Sequence, residues 1–128
     1  LRSEIAKYIQ NSRGVHAHRE QIIIGPGVQS LLHMLCSILK LEHNQIAFED
    51  PGFKNGRQIF ADHAFRLTPV AMKKDGIDMK ELVGSGARLV YVSPSHQFPT
   101  GYIMPIGKRY RLLNKYKGAN RRFDPQCA

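Results

Sequence analysis

The fold is decided by the stretch QIIIGPGVQSLL, residues 21–32. Three consecutive isoleucines are typical of a strand that is covered on both faces, as in a parallel sheet between helices, so we expect a strand at residues 21–25. Gly25-Pro26-Gly27 ends that run. From residue 28 to residue 40 the leucines and isoleucines recur at helical spacing. The stretch therefore predicts a strand, a tight turn and a helix in direct succession, with Met34 and Cys36 on the packed side of the helix.

The same alternation continues along the rest of the chain, without an internal repeat or a low-complexity segment. We expect strands at residues 45–48, 65–70 and 87–93, helices at residues 1–12, 55–64 and 106–116, and a helical turn at residues 78–83. Strands that alternate with helices at this spacing predict α/β architecture with a mainly parallel sheet flanked by helices.

Composition limits the classes of protein to which the chain can belong. Its 128 residues, 42% of them hydrophobic and 23% charged, fit one domain with a real core. No apolar run is long enough to cross a bilayer, and the start at Leu1 has no signal peptide, so we expect a cytoplasmic protein without a membrane partner. The missing initiator Met indicates that an N-terminal part is absent. Cys36 and Cys127 form no metal-binding spacing, so no metal site is predicted.

The net charge of +9 favours an anionic partner, but the charge is uneven. Seven of the nineteen basic residues lie within residues 108–128. A solvated basic tail or helix face explains this cluster, and a nucleic-acid-binding patch is the alternative. The first explanation is favoured because no aromatic residues alternate with the charges in a stacking pattern. His16 and His18 lack further ligands nearby and are interpreted as surface histidines.

Three loops directly follow predicted strands: loop A (residues 25–29), loop B (residues 49–56) and loop C (residues 94–101). Ligands of parallel sheets collect at the carboxyl ends of strands, so we expect the three loops to converge on one edge. The glycines of loop A and the free N–H groups of a helix start favour a phosphate, although a tight turn without a ligand has the same pattern. In loop B, Phe53 either stacks on a planar ligand or packs into the core.

Loops B and C carry no convincing catalytic pair. Glu49 and Asp50 are adjacent, so their side chains diverge and do not form an acid/base pair. Ser95 and His96 are neighbours without an orienting acid, which argues against a nucleophile pair. Loop C is better interpreted as a rigid loop that presents amide and imidazole donors to a ligand.

The segments QIIIGPGVQSLL, IAFEDPGFKNGRQIF and LVYVSPSHQFPTGYIMP resemble the aminotransferase-like domain of the MocR-type branch of the GntR transcription regulators. PSHQFPTG followed by IMP is the most specific of these motifs, and the resemblance covers about residues 1–114. It implies a fold-type I aminotransferase-like large domain that binds pyridoxal 5′-phosphate as a sensing cofactor in a dimer. In this family a separate N-terminal winged-helix domain binds DNA.

The resemblance also implies roles for six residues of this chain. The backbone around Gly27, Val28 and Gln29 would contribute to the phosphate cradle. Phe53 stands where the family usually has a Tyr that stacks on the pyridine ring. Loop C corresponds to the aminotransferase NPTG-type loop, and there Phe98 replaces the usual Asn. The two side chains that could substitute for this Asn are His96 and Gln97.

The sequence also departs from the family pattern. The acidic segment whose Asp pairs with the pyridine nitrogen, and the Schiff-base lysine in its SxSK-like context, do not occur in it. We therefore interpret residues 1–116 as an incomplete N-terminal portion of the domain and residues 117–128 as a basic tail of unclear origin. Pyridoxal chemistry needs that lysine and that aspartate, so we expect weak cofactor binding and no transaminase activity from this chain, with no catalytic residue assigned.

Three hypotheses remain at this point. The first is a fragment of a transcription regulator whose parent binds pyridoxal phosphate and senses a small amino compound. The second is a fragment of a class I/II aminotransferase, and the third is a small basic nucleic-acid-binding protein. PSHQFPTG favours the first. Uncovered sheet edges and apolar faces lead us to expect a homo-oligomer or an altered fold.

Overall fold

The computed structural model describes residues 1–117, in which helices and strands alternate after an initial helical region. The helices are α1 (Arg2–Arg13), α2 (Val28–Leu39), α3 (Lys54–Asp62), α4 (Met79–Gly84) and α5 (Ile106–Lys117). The strands are β1 (Gln45–Asp50), β2 (Arg66–Lys73), β3 (Gly76–Ile77) and β4 (Val90–Tyr91), and a 3-10 turn spans Arg19–Gln21. The α/β architecture predicted from the alternation is confirmed.

The four strands form one sheet in the order β3-β2-β1-β4. β1 is parallel to both β2 and β4, and only the short β3 is antiparallel to its neighbour β2. Pro69 of β2 lies opposite Phe48 of β1, while β3 pairs with β2 only at Met72 and Lys73. On the side of β2 that faces away from β1, Pro69 has no paired residue, so its missing N–H costs no hydrogen bond there. Proline is tolerated at such a position of a strand.

β1 is paired on both edges, with β2 and β4, and both of its faces are covered by helices. On one face Ile46 and Phe48 pack against α2 and α3. On the other face Ala47 packs against residues of α4 and α5, among them Leu82 and Leu112. This alternation follows from the period of two along a strand, and it places the sheet between two layers of helices.

The predicted strand at residues 21–25 is not formed. The 3-10 turn ends at Gln21, residues 22–25 have no regular secondary structure, and a bend at residues 26–27 leads into α2. Ile23 is 65% exposed and Ile24 49% exposed. A strand needs a neighbouring strand to bond with its N–H and C=O groups, and no strand of residues 1–117 pairs with this run. The isoleucine run is therefore a strand-like sequence without a sheet edge beside it.

Other predictions differ from the structure in extent. The strand expected at residues 87–93 shortens to β4, because only Ala47 and Phe48 of β1 pair with it. Cys36 is fully buried on α2 as predicted, whereas Met34 is half exposed because it lies on the opposite side of that helix. His16 and His18 are exposed, in agreement with their interpretation as surface histidines.

Two kinds of feature are absent from residues 1–117. No cluster of three or more His, Cys, Asp or Glu side chains has an arrangement suited to a metal ion. None of the helices in this part of the chain combines the length and the apolar character needed to cross a membrane. Of the predicted tail at residues 117–128, all but its first residue lies outside the described part of the chain.

Candidate cofactor-binding site

The chain topology brings loops A, B and C to the same edge of the sheet. Lys40, at the end of α2, donates through Nζ to the backbone oxygen of Ala64 at 2.6 Å, just before β2 begins. The C-terminal end of α2 therefore lies at the amino ends of the parallel strands. A helix of 12 residues is about 18 Å long, so the start of α2 points toward their carboxyl ends. Loops B and C begin at those carboxyl ends because they follow β1 and β4.

Loop A presents an uncapped helix start to solvent. Gly27 adopts φ +97°, a backbone conformation that favours glycine, and it precedes α2 without a side-chain cap. Gly27, Val28 and Gln29 are exposed, and the first turn of α2 contains no acidic residue. The N–H groups of this turn and the positive end of the helix dipole therefore point toward the sheet edge, an arrangement that suits an anion.

Loop B, the start of α3 and loop C border a half-open cavity of about 360 Å³ at this edge. Phe53 of loop B and Phe98 of loop C are both in its wall. The lining residues are Pro51, Gly52, Phe53, Lys54, Asn55, Arg57, Phe98 and Pro99. The cavity is thus mostly apolar, with two cationic side chains at its margin, which suits a planar organic anion.

The ring of Phe53 is held by its neighbours. It is half-buried and stacks on Tyr91, with ring centroids 6.4 Å apart and an angle of 24° between the planes. A Cβ atom added at Gly56 would come within 2.7 Å of Phe53 Cδ1, so this ring requires the absence of a side chain at Gly56. The ring of Phe53 therefore packs against the edge of the core and also lines the cavity.

Glu49 lies at the end of β1 and joins loops B and C. It is only 3% exposed. Its Oε1 accepts a hydrogen bond from the backbone N–H of Ser93 at 2.9 Å, and its Oε2 accepts one from Gln97 Nε2 at 3.3 Å. Burial raises the pKa of the Glu49 carboxyl, while these two hydrogen bonds act in the opposite direction. Asp50 points outward and pairs with Arg57 at 3.2 Å, so the two adjacent acids diverge as predicted.

Gln97 is buried beneath loop C, and its side-chain amide is fully engaged within the protein. Nε2 also donates to the backbone oxygen of Pro51 at 2.7 Å, and Oε1 accepts from the backbone N–H of Thr100 at 3.1 Å and from its hydroxyl. His96, in contrast, is exposed. Of the two candidate substitutes in loop C, His96 therefore has access to a ligand and Gln97 holds the loop.

Arg109 of α5 holds the two ends of the segment that contains loop C. Its guanidinium donates to the backbone oxygens of Met104 at 2.8 Å and Pro94 at 3.0 Å, and to Ser95 Oγ at 3.4 Å. Lys108, only 5% exposed, pairs with Asp75 at 2.8 Å. The prediction of a solvated basic helix face is wrong for these two residues, because their charges are used inside the fold.

The roles of Glu49 and Arg109 were not predicted from the sequence. A signal for Glu49 was present, since it continues directly from the apolar run Ile46-Ala47-Phe48 of a buried strand. No local signal distinguishes Arg109 from the other basic residues of α5, because its partners lie 5 to 15 residues earlier in a loop.

Comparisons with known proteins establish the family. The sequence profile of the family "Aminotransferase class I and II" matches residues 1–108, and the chain belongs to this family. Among solved structures, it is similar to LysN, an alpha-aminoadipate aminotransferase from Thermus thermophilus that was crystallised with N-(5′-phosphopyridoxyl)-L-leucine. The identity is 28% and the TM-score 0.77, over 92% of this chain and 30% of LysN. The aminotransferase fold is thereby confirmed.

The curated relatives point to a regulator. The chain is 41% identical over 123 residues to "Uncharacterized HTH-type transcriptional regulator YdeL" of Bacillus subtilis, covering 96% of this chain and 26% of the relative. It is 33% identical to "Probable rhizopine catabolism regulatory protein MocR" of Rhizobium meliloti, covering 88% of this chain and 23% of the relative. The resemblance to MocR-type regulators with an aminotransferase-like domain is confirmed. The chain spans about a quarter of the length of these relatives.

Proposed function

We propose that this chain forms part of an aminotransferase-like domain that binds pyridoxal 5′-phosphate as the sensing cofactor of a MocR-type transcription regulator. The observation that supports this proposal best is the convergence of three features at one sheet edge. These are the uncapped start of α2 at loop A, the cavity between loops B and C, and the half-buried aromatic ring in the wall of that cavity. Together they offer donors for a phosphate and a surface for a planar ring.

Each predicted site residue receives a role in this proposal. The backbone N–H groups around Gly27, Val28 and Gln29 donate to phosphate oxygens, and the ring of Phe53 packs against the pyridine ring. The exposed imidazole of His96 would be available to the polar edge of the ring, while Gln97 holds loop C in place. When bound, the cofactor supplies an aldehyde that reacts with amino groups, which fits a sensor of a small amino compound.

The fit is limited to part of the cofactor. The residues present suit the phosphate and the ring, whereas the lysine and the aspartate expected from the family resemblance do not occur in this sequence. We therefore propose that binding by this chain is weak and reversible and that no amino group is transferred. The whole protein is proposed to be a cytoplasmic homo-oligomer that contacts DNA through a domain absent from this chain.

Titration of the chain with pyridoxal 5′-phosphate, followed by two-dimensional NMR, tests the proposal. We expect shifts at the amides of residues 27–30 and at loop B, competition by inorganic phosphate, and much weaker binding of pyridoxal, which lacks the phosphate. A chain that binds pyridoxal as well as its phosphate would contradict the assignment of loop A.

The start of α2 offers a matched pair of variants for the same titration. Val28 occupies the first helical position, where proline is tolerated, so Val28→Pro removes one N–H group and preserves the helix. We expect it to weaken phosphate binding by about tenfold, the effect of losing one charge-assisted hydrogen bond. Gln29→Ala keeps its backbone N–H and should leave the affinity unchanged.

A catalytic aminotransferase remains the second candidate, because LysN shares the fold over 92% of this chain. An amino-transfer assay separates the two. The sensing proposal predicts no transfer by this chain above the level produced by free pyridoxal phosphate. Transfer above that level would favour the enzyme.

A further inference from the structure

Loops B and C, which wall the cavity, are joined by a buried hydrogen-bond cluster that we call the Glu49–Gln97 cluster. It consists of these two side chains and their partners Ser93, Pro51 and Thr100. We propose that Glu49 and Gln97 are positioning residues that set the separation of loops B and C and thereby the shape of the cavity. The inference rests on the proposed function only in assigning a cofactor to that cavity.

The donors and acceptors of the Glu49–Gln97 cluster match one for one. Each carboxylate oxygen of Glu49 accepts one hydrogen bond, and the two N–H groups of Gln97 serve Glu49 and the carbonyl of Pro51. The amide oxygen of Gln97 accepts both donors of Thr100. If the amide were reversed, its NH₂ group would face donors and its oxygen would face acceptors, so its neighbours determine its orientation. Replacing either side chain therefore leaves a buried group unpaired.

The hydrogen bonds of this cluster connect loop B with loop C and are not local contacts within one loop. Glu49 belongs to the central strand, whereas Pro51 lies two residues further on in loop B, toward Phe53. Gln97 holds both points at once, so a shift of loop C relative to loop B breaks at least one bond. Arg109 holds the base of loop C at Pro94, which makes that loop a well-supported partner.

The charge state of Glu49 adds a measurable property. Its hydrogen-bond partners, a backbone N–H and an amide, are both neutral. The nearby titratable group is Tyr91, whose pKa is raised by burial and by the charge of Glu49. The cluster therefore holds a carboxyl whose protonation alters the number of acceptors available to loop C.

An exchange of the two side chains tests this role. Glu49→Gln places an amide NH₂ group against a donor, either the backbone N–H of Ser93 or the NH₂ group of Gln97, and Gln97→Glu places two carboxylates against each other. The double variant restores a donor–acceptor pair between positions 49 and 97, but it loses the bond to Pro51, whose carbonyl then faces a carboxylate oxygen. Hydrogen–deuterium exchange of loops B and C in the whole chain measures the outcome. We expect each single variant to speed exchange in both loops by about tenfold, as for one lost buried hydrogen bond, and the double variant to recover part of this loss of protection.

Two further variants complete the design. Glu81→Gln is the matched control, because Glu81 Oε2 also accepts a backbone N–H, that of Ala71 at 2.6 Å, but is exposed on α4. It should leave both loops unchanged. Thr100→Val removes the hydroxyl bond to Gln97 and the bond that this hydroxyl accepts from the backbone N–H of Tyr102 at 3.2 Å. It serves if a single variant does not fold, with an expected increase of about threefold in loop C. Unchanged loop exchange in the single variants, or a double variant no better than the worse single one, would overturn the inference.

The same proteins separate this inference from the proposed function. Pyridoxal phosphate affinity should fall in the single variants and recover in the double variant in parallel with loop protection. Faster loop exchange at unchanged affinity would overturn the positioning role. If the wild-type chain bound no pyridoxal phosphate at all, the proposed function would fail, and the exchange data would still decide whether Glu49 and Gln97 position the loops.

Discussion

The two sides of the candidate site are built in different ways. Loops B and C are joined by buried side chains that are 44 to 48 residues apart in sequence. Loop A follows an isoleucine run that is largely exposed. Gly27 of this loop has a positive φ, and no side chain caps the start of α2 that follows it. The side formed by loops B and C is thus fixed by contacts within the described part of the chain, whereas the segment before loop A has no strand of residues 1–117 beside it.

This contrast shows that the presence of a sequence motif and the tertiary contacts that hold it in place are separate properties. GPGVQ places backbone donors at a helix start whatever surrounds the preceding segment, because the helix itself orients them. PSHQFPTG depends on distant partners, since Gln97 is oriented by Glu49 and Pro51. Substitutions in the two parts should therefore have very different costs.

The largest effect is expected for Gln97→Ala. The substitution leaves the Glu49 carboxyl and the Pro51 carbonyl without their buried donor, and we expect a loss of about 2–3 kcal/mol in the free energy of unfolding. Urea denaturation followed by circular dichroism measures it. Gln29→Ala, at an exposed position of loop A, is the control and should stay within about 0.5 kcal/mol. Equal effects at both positions would remove the distinction between the two loops.

The next largest effect is expected for Phe53→Ala. The ring is half-buried against Tyr91 and Gly56, so its removal should cost about 1–2 kcal/mol, below the range for a fully buried phenylalanine. Phe98→Ala is the comparison in the same cavity wall, since Phe98 is 72% exposed, and it should cost less than about 0.5 kcal/mol. The same denaturation assay serves, and a larger loss for Phe98 would show that loop C packs more tightly than the structure indicates.

A smaller effect is expected from pH. Burial raises the pKa of Glu49, so the folded chain retains this proton over a range in which the unfolded chain has released it. The contribution of Glu49 is therefore most favourable below its unfolded pKa and declines as pH rises toward the folded value. Asp75 and Asp78, whose pKa values are lowered by hydrogen bonds from lysines, contribute the opposite slope.

Comparison with Glu49→Gln isolates this single group, because the other carboxyls are common to both proteins. The difference in unfolding free energy between wild type and variant should shrink as pH rises through that range, since only the wild type loses stability there. Denaturation curves recorded at several pH values test this. Parallel pH profiles would show that Glu49 does not titrate differently on folding.

The smallest effect on stability is expected for Ile23→Ser. Its side chain is 65% exposed, so the unfolding free energy should change by less than about 0.5 kcal/mol. The substitution should instead reduce self-association, because it removes part of an exposed apolar run. Sedimentation velocity of wild type and variant at equal concentration measures this. A loss above about 1 kcal/mol, the scale of even a modest buried contact, would mean that the run is packed.

Much of the fold could be predicted because local patterns and tertiary contacts agree. α2 begins at Val28 as its leucine spacing predicts, and β1 occupies an apolar run that begins at Gln45. The run of isoleucines at residues 22–24 has the same character and fails, because burial of a strand requires a neighbour that the pattern does not specify. The sequence places Glu49 in a loop, and its burial could not be predicted. The residue that buries and pairs with it, Gln97, lies 48 residues later in the sequence.

For this protein, most of the order of helices and strands from α2 onward, the family and the location of the three loops followed from the linear sequence, because they depend on periodicity and on motifs within a few residues. The roles of Glu49, Gln97 and Arg109 were decided by the tertiary structure. Each of them is a polar side chain whose donors or acceptors are matched by groups distant in sequence or in another element. Burial makes an unmatched polar group costly, so the assembled fold, rather than residue type, determines which of these side chains hold the site.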